Sequence, residues 1–309
     1  MQVISVSYRT DIPTFYGEWF MRRVREGYAR YPNPYSPQIV SVSLKPEDVH
    51  AFVFWSKNYL PFVKHLDELD ARGYDFYFHY SITGLPRILE EKVPDWATCV
   101  QNFVELSRRY SPKHVQWRYD PIVFSNITPF EFHVETFRRM AQRLEGSTER
   151  CYISFLDIYR KARRNLQSVE AILSVEDPEQ EHKIELALRL AEIASVYGIT
   201  LYTCVEDFAA IGPIKRGACV DKDILDQLWP HKARKMALSN NRNRCGCYES
   251  RDIGIYDTCP HGCIYCYAVL NRALALKRFA KHDPTADCLV DIGGDVPPDV
   301  KDTNQLSLF

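Results

Sequence analysis

Short apolar segments rich in β-forming residues recur along this chain with helix-forming patterns between them, and this alternation restricts the fold more than any other feature. The segments predicted to be strands are Val3–Tyr8, Ile39–Leu44, Ala51–Trp55, Asp75–Tyr80, Val115–Tyr119, Tyr152–Leu156 and Thr200–Val205. Strands that alternate with helices over 309 residues predict an α/β fold on a parallel sheet, closed completely or partly into a (β/α) barrel.

The helices between these strands carry start and stop signals. After Asp11, Pro13 suits a first helical position, an apolar stripe follows, and Gly27 can end the helix. Another helix is predicted over Ile184–Tyr197, with Gly198 at its end. Such helices suit a parallel sheet, in which each strand needs a long crossover to reach the next.

The predicted strands share a polar C-terminal end, as at Tyr8–Asp11, Trp55–Asn58, His79–Ser81, Trp117–Asp120, Phe155–Asp157 and Val205–Asp207. Any strand can turn polar where it meets solvent, so one such end carries no information. Several ends of this kind together favour a lined pocket, because the carboxyl ends of parallel strands lie side by side and carry the active site in barrel enzymes.

Five of the ten cysteines fall within residues 245–266, in the pattern C-x-C-x11-C-x3-C-x2-C. The last three, Cys259, Cys263 and Cys266, can bind three corners of a cubane iron–sulfur cluster from one short loop, since thiolates are the soft ligands that such clusters require. Three thiolates leave the fourth iron open to a small chelating ligand.

The spacing Cys-x3-Cys-x-aromatic-Cys, with Tyr265 in the aromatic position, resembles the signature of the radical S-adenosylmethionine (SAM) superfamily. The surrounding stretch is particularly similar to the cluster loop of spore photoproduct lyase and its relatives. The resemblance implies a 4Fe–4S cluster on Cys259, Cys263 and Cys266, with SAM bound to the open iron and flanked by Tyr265. It also implies cleavage of SAM to a 5′-deoxyadenosyl radical, with an electron from a donor such as flavodoxin or ferredoxin.

Other arrangements of the cysteines stay open. A zinc knuckle could use Cys245, Cys247 and two of the later three, although C-x-C is a poor clamp for one tetrahedral ion. Alternatively, Cys204, Cys219, Cys245 and Cys247 form the four-thiolate set of an auxiliary cluster, or they are buried free cysteines. The remaining cysteines show no partner pattern and are predicted to be core or surface residues.

Two stretches, Ser5–Pro13 and Cys245–Ala268, resemble a prokaryotic family known as domain of unknown function 1848, and the similarity extends over nearly the whole chain. That family name implies no activity. The prediction of radical SAM chemistry therefore depends on the cysteine loop, which contains Cys259, Cys263 and Cys266. The order of parts is unusual, because the loop of the radical SAM superfamily follows the first barrel strand, whereas here it comes last.

A circular permutation reconciles this order with a barrel of radical SAM type whose cluster loop lies at the C-terminal end. Asp252–Tyr256 is predicted as a strand and Ala268–Phe279 as a helix, which gives the expected strand–loop–helix unit. If this terminal strand docks beside the first one, then Arg9, Thr10 and Asp11 are the best candidates to hold the polar groups of the cofactor.

The chain is predicted to divide into a barrel over residues 1–282 and a flexible tail over 283–309, where proline, glycine and acidic residues become frequent. The last residues match the peptide by which many bacterial DNA-repair and replication proteins dock on the sliding clamp: Gln305, Leu306, Ser307, Leu308 and Phe309. A chance apolar end is the alternative, since the match is short.

Composition indicates the cellular compartment of the protein more clearly than its substrate. The formal net charge of −1 does not indicate a nucleic-acid partner, and local basic runs are usually solvated faces. No stretch approaches the roughly 20 apolar residues of a membrane helix, and the N-terminus lacks the pattern of a signal peptide. We therefore expect a cytoplasmic protein with no membrane partner, in which clustered cysteines bind metal.

These observations support three hypotheses about function. The leading one is a radical SAM enzyme that acts on nucleic acid, in DNA repair or modification. The second keeps the radical chemistry but places it on a peptide or a small metabolite. The third is a non-catalytic, zinc-stabilised nucleic-acid-binding protein.

Overall fold

The computed structural model describes residues 1–33, 38–157, 165–167, 169–203, 206, 208, 211–239 and 246–290. Within them the strands are β1 (Gln2–Val6), β2 (Tyr28–Pro32), β3 (Ile39–Ser43), β4 (Val49–Ser56), β5 (Phe76–Ser81), β6 (Val115–Ile122), β7 (Phe124–Ser125), β8 (Arg150–Phe155), β9 (Val175–Glu176), β10 (Thr200–Thr203), β11 (Lys215–Arg216) and β12 (Arg251–Asp252). The helices are α1 (Ile12–Phe15), α2 (Gly17–Glu26), α3 (Leu66–Ala71), α4 (Trp96–Arg109), α5 (Phe130–Leu144), α6 (Gln180–Val196), α7 (Lys222–Leu228) and α8 (Arg272–Ala280), with 3-10 helices at Leu60–His65 and Pro230–Lys232. Among these described helices, none combines the length and the apolar character that crossing a membrane would require.

Eight of the strands form one parallel sheet in the order β11–β10–β8–β6–β5–β4–β1–β12. From β1 to β11 each new strand is added on the same side of the previous one, and β12 returns to the opposite edge. Parallel crossovers are right-handed, so crossovers that advance in one direction place their helices on one face of the sheet. The predicted α/β fold on a parallel sheet is therefore confirmed.

The two faces of this sheet pack against different parts of the chain. The helix-covered face carries fully buried Ile4, Phe52 and Phe78, which belong to the main hydrophobic core. The residues that alternate with them include Val53 and Tyr77, which form a smaller core with side chains from α7. Alternation along each strand thus divides the apolar residues between two layers.

The first helical region differs from the continuous helix predicted to end at Gly27. Asp11 caps α1, but the helix is divided at Tyr16 into α1 and α2. A Cβ on Gly17 would lie 3.1 Å from the ring of His65, so the glycine allows the 3-10 helix to approach closely. Gly27 then ends α2 with a left-handed φ of 80°, as predicted.

The strand predicted at Ile39–Leu44 exists, but it lies outside the parallel sheet. β3 pairs antiparallel with β2 in a separate two-stranded sheet. β2 was not predicted from the sequence. It contains Arg30 and Pro32, and a proline weakens the sequence pattern of a strand unless the strand lies at the edge of a sheet. Pairing with β3 therefore overrides a weak local signal.

Residues 283–290, the first part of the predicted flexible tail, pack against α2 and β2. The carboxylate of Asp287 accepts hydrogen bonds from Arg23 Nη1 at 3.1 Å and from Tyr28 OH at 2.9 Å. Leu289 is buried in the main core. The packed part of the chain therefore extends at least to Val290, because distant residues supply contacts that the local composition does not reveal.

Candidate functional site

The strand before the cysteine loop lies beside the first strand of the sheet. Ile4 pairs with Arg251, and Ser5 pairs with Asp252, in parallel register. The prediction that this terminal strand docks beside the first one is confirmed. The strand is shorter than the predicted Asp252–Tyr256.

The helix after the loop begins at Arg272 and not at the predicted Ala268. Asn271 accepts a backbone hydrogen bond at 3.0 Å and caps α8. Before it, the side chain of Asp257 accepts hydrogen bonds from the backbone nitrogens of Leu270 and Asn271, at 2.6 and 2.8 Å. These contacts hold the residues that follow the loop as a turn and delay the start of the helix.

Asp252 joins the cysteine loop to β1. Its fully buried carboxylate accepts hydrogen bonds from Ser5 Oγ at 2.8 Å and Ser7 Oγ at 2.6 Å, and from the backbone nitrogens of Tyr8 and Gly254, both at 2.9 Å. A Cβ on Gly254 would lie only 2.0 Å from Ser7 Oγ. The glycine therefore permits the close approach of the two segments.

Cys259, Cys263 and Cys266 lie half-buried on one loop, at the carboxyl edge of the parallel sheet. Cys266 N donates a hydrogen bond to Cys263 O at 3.2 Å, and Ala268 N donates to Cys266 Sγ at 3.4 Å. Burial raises the pKa of all three thiols, and the charge of Cys266 also raises the pKa of Cys259 and Cys263. The three thiols therefore share one short, half-buried loop.

This group meets the donor requirement of an iron–sulfur cluster. Its thiols are soft ligands, and coordination by metal favours the thiolate form that burial opposes. Within the described ranges, no group of three or more His, Cys, Asp or Glu side chains is arranged to hold a single metal ion. The thiolates of a cubane need not converge on one point, because each binds a different iron.

A buried polar network flanks Cys263. Lys57 Nζ lies 2.8 Å from Glu90 Oε1, which also accepts hydrogen bonds from Thr83 Oγ1 at 2.9 Å and from Tyr265 OH. Burial by itself would lower the pKa of Lys57, but Glu90 and the thiol of Cys263 hold it above its usual value. Tyr265, predicted to flank the cofactor, is thus tied to an ion pair beside the loop.

Backbone contacts dock the cysteine loop on the segment that contains Glu90. Ile264 N donates to Leu89 O at 3.1 Å, and Lys92 N donates to His261 O at 2.9 Å. The sequence analysis included Lys57 only as part of the polar strand end Trp55–Asn58. It did not predict Glu90 as a site residue. No signal could have found Glu90, because it lies in an irregular loop with no motif around it.

Asp11, predicted to contact the cofactor, braces the cysteine loop. Its Oδ2 lies 2.8 Å from His261 Nε2 and accepts a hydrogen bond from Lys57 N at 2.9 Å, while Oδ1 accepts one from Ser56 Oγ at 2.7 Å. Burial by itself would raise the pKa of Asp11, but the hydrogen bonds from His261, Lys57 and Ser56 lower it. A carboxylate held in this way fixes the loop against the ends of β1 and β4.

Arg9 and Thr10, the other predicted cofactor contacts, are also buried at this edge. The guanidinium of Arg9 lies within 6 Å of the centroids of three rings, those of Tyr8, Tyr31 and Tyr256, at 5.6, 5.7 and 5.5 Å. Thr10 Oγ1 has no hydrogen-bond partner within the part of the chain that the structure describes. Of the three candidates, Arg9 and Thr10 each have a buried polar atom without a hydrogen-bond partner among the described residues, Arg9 Nε and Thr10 Oγ1.

Two of the predicted auxiliary ligands meet. Cys219 N donates to Cys247 Sγ at 3.1 Å, and Arg118 Nη1 donates to Cys219 Sγ at 3.4 Å. The other two, Cys204 and Cys245, lie outside the described residues. The auxiliary cluster therefore stays a prediction.

Polar residues at the ends of neighbouring strands contact each other along the same edge. Asp120 accepts hydrogen bonds from Arg118 Nη2 at 2.8 Å and from Ser154 Oγ. Phe155 N donates to Glu206 Oε1 at 3.0 Å, and burial raises the pKa of Glu206. The ends of β6 and β8 and Glu206, which follows β10, thus contact one another along this edge, and the predicted lined pocket stays a prediction.

The predicted docking peptide, Gln305–Phe309, lies outside the described residues.

Among curated proteins, none matches this chain. A metagenomic short-chain oxidoreductase, solved in complex with NADP, is similar over 81% of this chain and 97% of its own, with 10% identity and a TM-score of 0.23. At that TM-score the likeness supports no inference about fold or function.

A family model gives a clearer result. The model described as a domain of unknown function (DUF1848) matches residues 3–268, which include all of the parallel sheet except Gln2, and the whole cysteine loop. This match agrees with the resemblance seen in Ser5–Pro13 and Cys245–Ala268. The chain belongs to the family of domain of unknown function 1848.

Proposed function

We propose that this chain is an iron–sulfur enzyme of the radical SAM type, in which Cys259, Cys263 and Cys266 hold a 4Fe–4S cluster. The observation that carries the proposal is the position of these thiols: they share one loop, directly after a strand that runs parallel to β1. When bound, such a cluster supplies the electron that cleaves SAM to a 5′-deoxyadenosyl radical.

The strand order supports a barrel-like arrangement around this loop. Strands are added in one direction from β1 to β11, and the loop-bearing strand comes next to β1. Tyr248 N, just before β12, donates to Val220 O, just after β11, at 3.0 Å, so segments beside the two sheet edges touch. We therefore propose a partial (β/α) barrel of radical SAM type that is circularly permuted.

The residues around the loop have separable roles in this proposal. Asp252 and Asp11 hold the loop in register with the strand ends through their hydrogen bonds. Tyr265 covers one side of the loop, and Thr10 offers a buried hydroxyl to a polar group of the cofactor. Because these side chains are buried, they also keep water away from the reacting centre.

We further propose that the substrate is nucleic acid, in DNA repair or modification, and that the enzyme works in the cytoplasm with flavodoxin or ferredoxin as electron donor. The support for DNA is the terminal peptide Gln305–Phe309, which matches the ligand of the bacterial sliding clamp. A short apolar peptide on a polar segment suits groove recognition. A peptide or a small metabolite is the alternative substrate.

Anaerobic purification followed by iron and sulfide analysis tests the radical assignment. We expect about four irons per chain, or about eight if an auxiliary cluster is present. Cys263→Ala should lose iron and release no 5′-deoxyadenosine from SAM after reduction with dithionite. Cys151→Ala, which removes a buried thiol from β8, is the matched control and should retain both.

Two outcomes would contradict the proposal. Zinc-loaded protein without iron would favour the zinc-stabilised nucleic-acid-binding protein. Undiminished 5′-deoxyadenosine from Cys263→Ala, in protein that is folded by circular dichroism, would remove this thiol from the mechanism.

A further inference from the structure

A buried ion pair lies directly against the proposed cluster loop. The side chains of Lys57 and Glu90 are 14% and 5% exposed, and Lys57 Nζ is 2.8 Å from Glu90 Oε1. Glu90 forms an antiparallel backbone bridge with Cys263. The ion pair therefore lies beside Cys263 of the loop, in a place that water hardly reaches.

The position of this pair is fixed by its other contacts. Glu90 Oε1 accepts hydrogen bonds from Thr83 and Tyr265 in addition to its contact with Lys57. Lys57 Nζ lies 5.9 Å from the centroid of the Tyr265 ring. Because these contacts hold both side chains in place, side-chain motion averages the electric field of the two charges at the loop only slightly. Because both side chains are largely buried, salt screens that field only weakly.

We propose that Lys57 and Glu90 set the reduction potential of the cluster on Cys259, Cys263 and Cys266, a role that rests on the proposed function. Reduction adds one negative charge to the cluster. Lys57 favours that charge and makes the cluster easier to reduce, whereas Glu90 opposes it. Both act through the field at the loop, so they are tuning residues and not ligands.

The size of the effect follows from electrostatics. A unit charge roughly 10 Å from a redox centre, at an effective dielectric constant of about 20, changes the ratio of reduced to oxidised centre about tenfold at a fixed potential. For a one-electron couple, a tenfold change corresponds to about 59 mV. Shifts of this size are readily resolved in a redox titration.

The test is an anaerobic redox titration of the cluster-loaded protein, followed by electron paramagnetic resonance. Lys57→Met keeps the length of the side chain and should decrease the ratio of reduced to oxidised cluster about tenfold at a fixed potential. Glu90→Gln keeps an acceptor for Tyr265 and should increase the ratio of reduced to oxidised cluster by a similar factor. In the double variant this ratio should lie between those of the two single variants, close to that of the wild type.

A matched control is the Lys232–Asp75 pair, which is also partly buried at 20% exposure for each side chain and has an N–O distance of 2.6 Å. Asp75 directly precedes β5 and so lies at the amino end of the sheet, opposite the loop. Asp75→Asn should leave the potential unchanged.

The reduction potentials of the two single variants should shift in opposite directions. A general loosening of the site would shift both potentials in the same direction, so it cannot produce this result. Variants with wild-type iron content and unshifted potentials would overturn the role of the ion pair and leave the radical assignment intact. Wild-type protein that binds no iron would overturn the proposed function itself.

Discussion

Replacing Asp252 tests whether one buried carboxylate holds the cysteine loop on the sheet. The carboxylate has no exposed surface and accepts four hydrogen bonds, from Ser5, Ser7, Tyr8 and Gly254. Asp252→Ala leaves these four donors without their acceptor, in a place that water cannot enter without local opening. Asp252→Asn keeps the shape of the side chain and one acceptor oxygen.

The magnitude follows from the number and kind of these bonds. A hydrogen bond to a charged group contributes about 1.5–3 kcal/mol, but contributions within one network do not add, and single losses above about 5 kcal/mol are exceptional. We therefore expect Asp252→Ala to lower the free energy of unfolding by about 4 kcal/mol, and Asp252→Asn by about 2 kcal/mol.

Urea unfolding of the metal-free protein, analysed by linear extrapolation, measures both values. Asp177→Ala is a suitable control, because Asp177 is 55% exposed and an exposed ion pair such as Lys183–Asp177 contributes at most about 1 kcal/mol. If Asp252→Ala unfolds within about 1 kcal/mol of the wild type, the carboxylate does not join the loop to β1 as argued.

Burial lowers the pKa of His133 to about 4, so the folded state keeps a neutral ring while the unfolded chain binds a proton below about pH 6.5. The free energy of unfolding should therefore fall by up to about 3 kcal/mol as the pH decreases from about 6.5 to about 4, and His133→Gln should flatten that slope; an equal slope would contradict this origin. Cys247→Ala should lower the iron content if it ligates an auxiliary cluster, and unchanged iron would remove it from the ligand set. A labelled peptide covering residues 296–309 should bind a bacterial sliding clamp with about micromolar affinity and lose binding when Leu308 and Phe309 are deleted; no saturable binding by the intact peptide would end the docking hypothesis.

Most strands and the class of the fold could be predicted because their signals are local. An apolar run such as Ala51–Trp55 becomes a buried strand wherever it lies in the sheet, and Gly27 ends a helix because of its own backbone freedom. The prediction was wrong where distant residues decide the outcome. β3 leaves the parallel sheet because β2 pairs with it, and 283–290 is packed because Asp287 finds partners on α2 and β2.

The candidate site divides in the same way. The sequence by itself determined three thiols on one short loop, because Cys259, Cys263 and Cys266 are close along the chain and their spacing depends on nothing else. Only the tertiary structure decided what surrounds them. Asp252 and Ser5 are 247 positions apart, and Tyr265 and Glu90 are 175 apart, yet each pair is in hydrogen-bond contact. Such contacts depend on the direction in which the sheet is wound and on which edge receives the last strand, and no local pattern of residues encodes either.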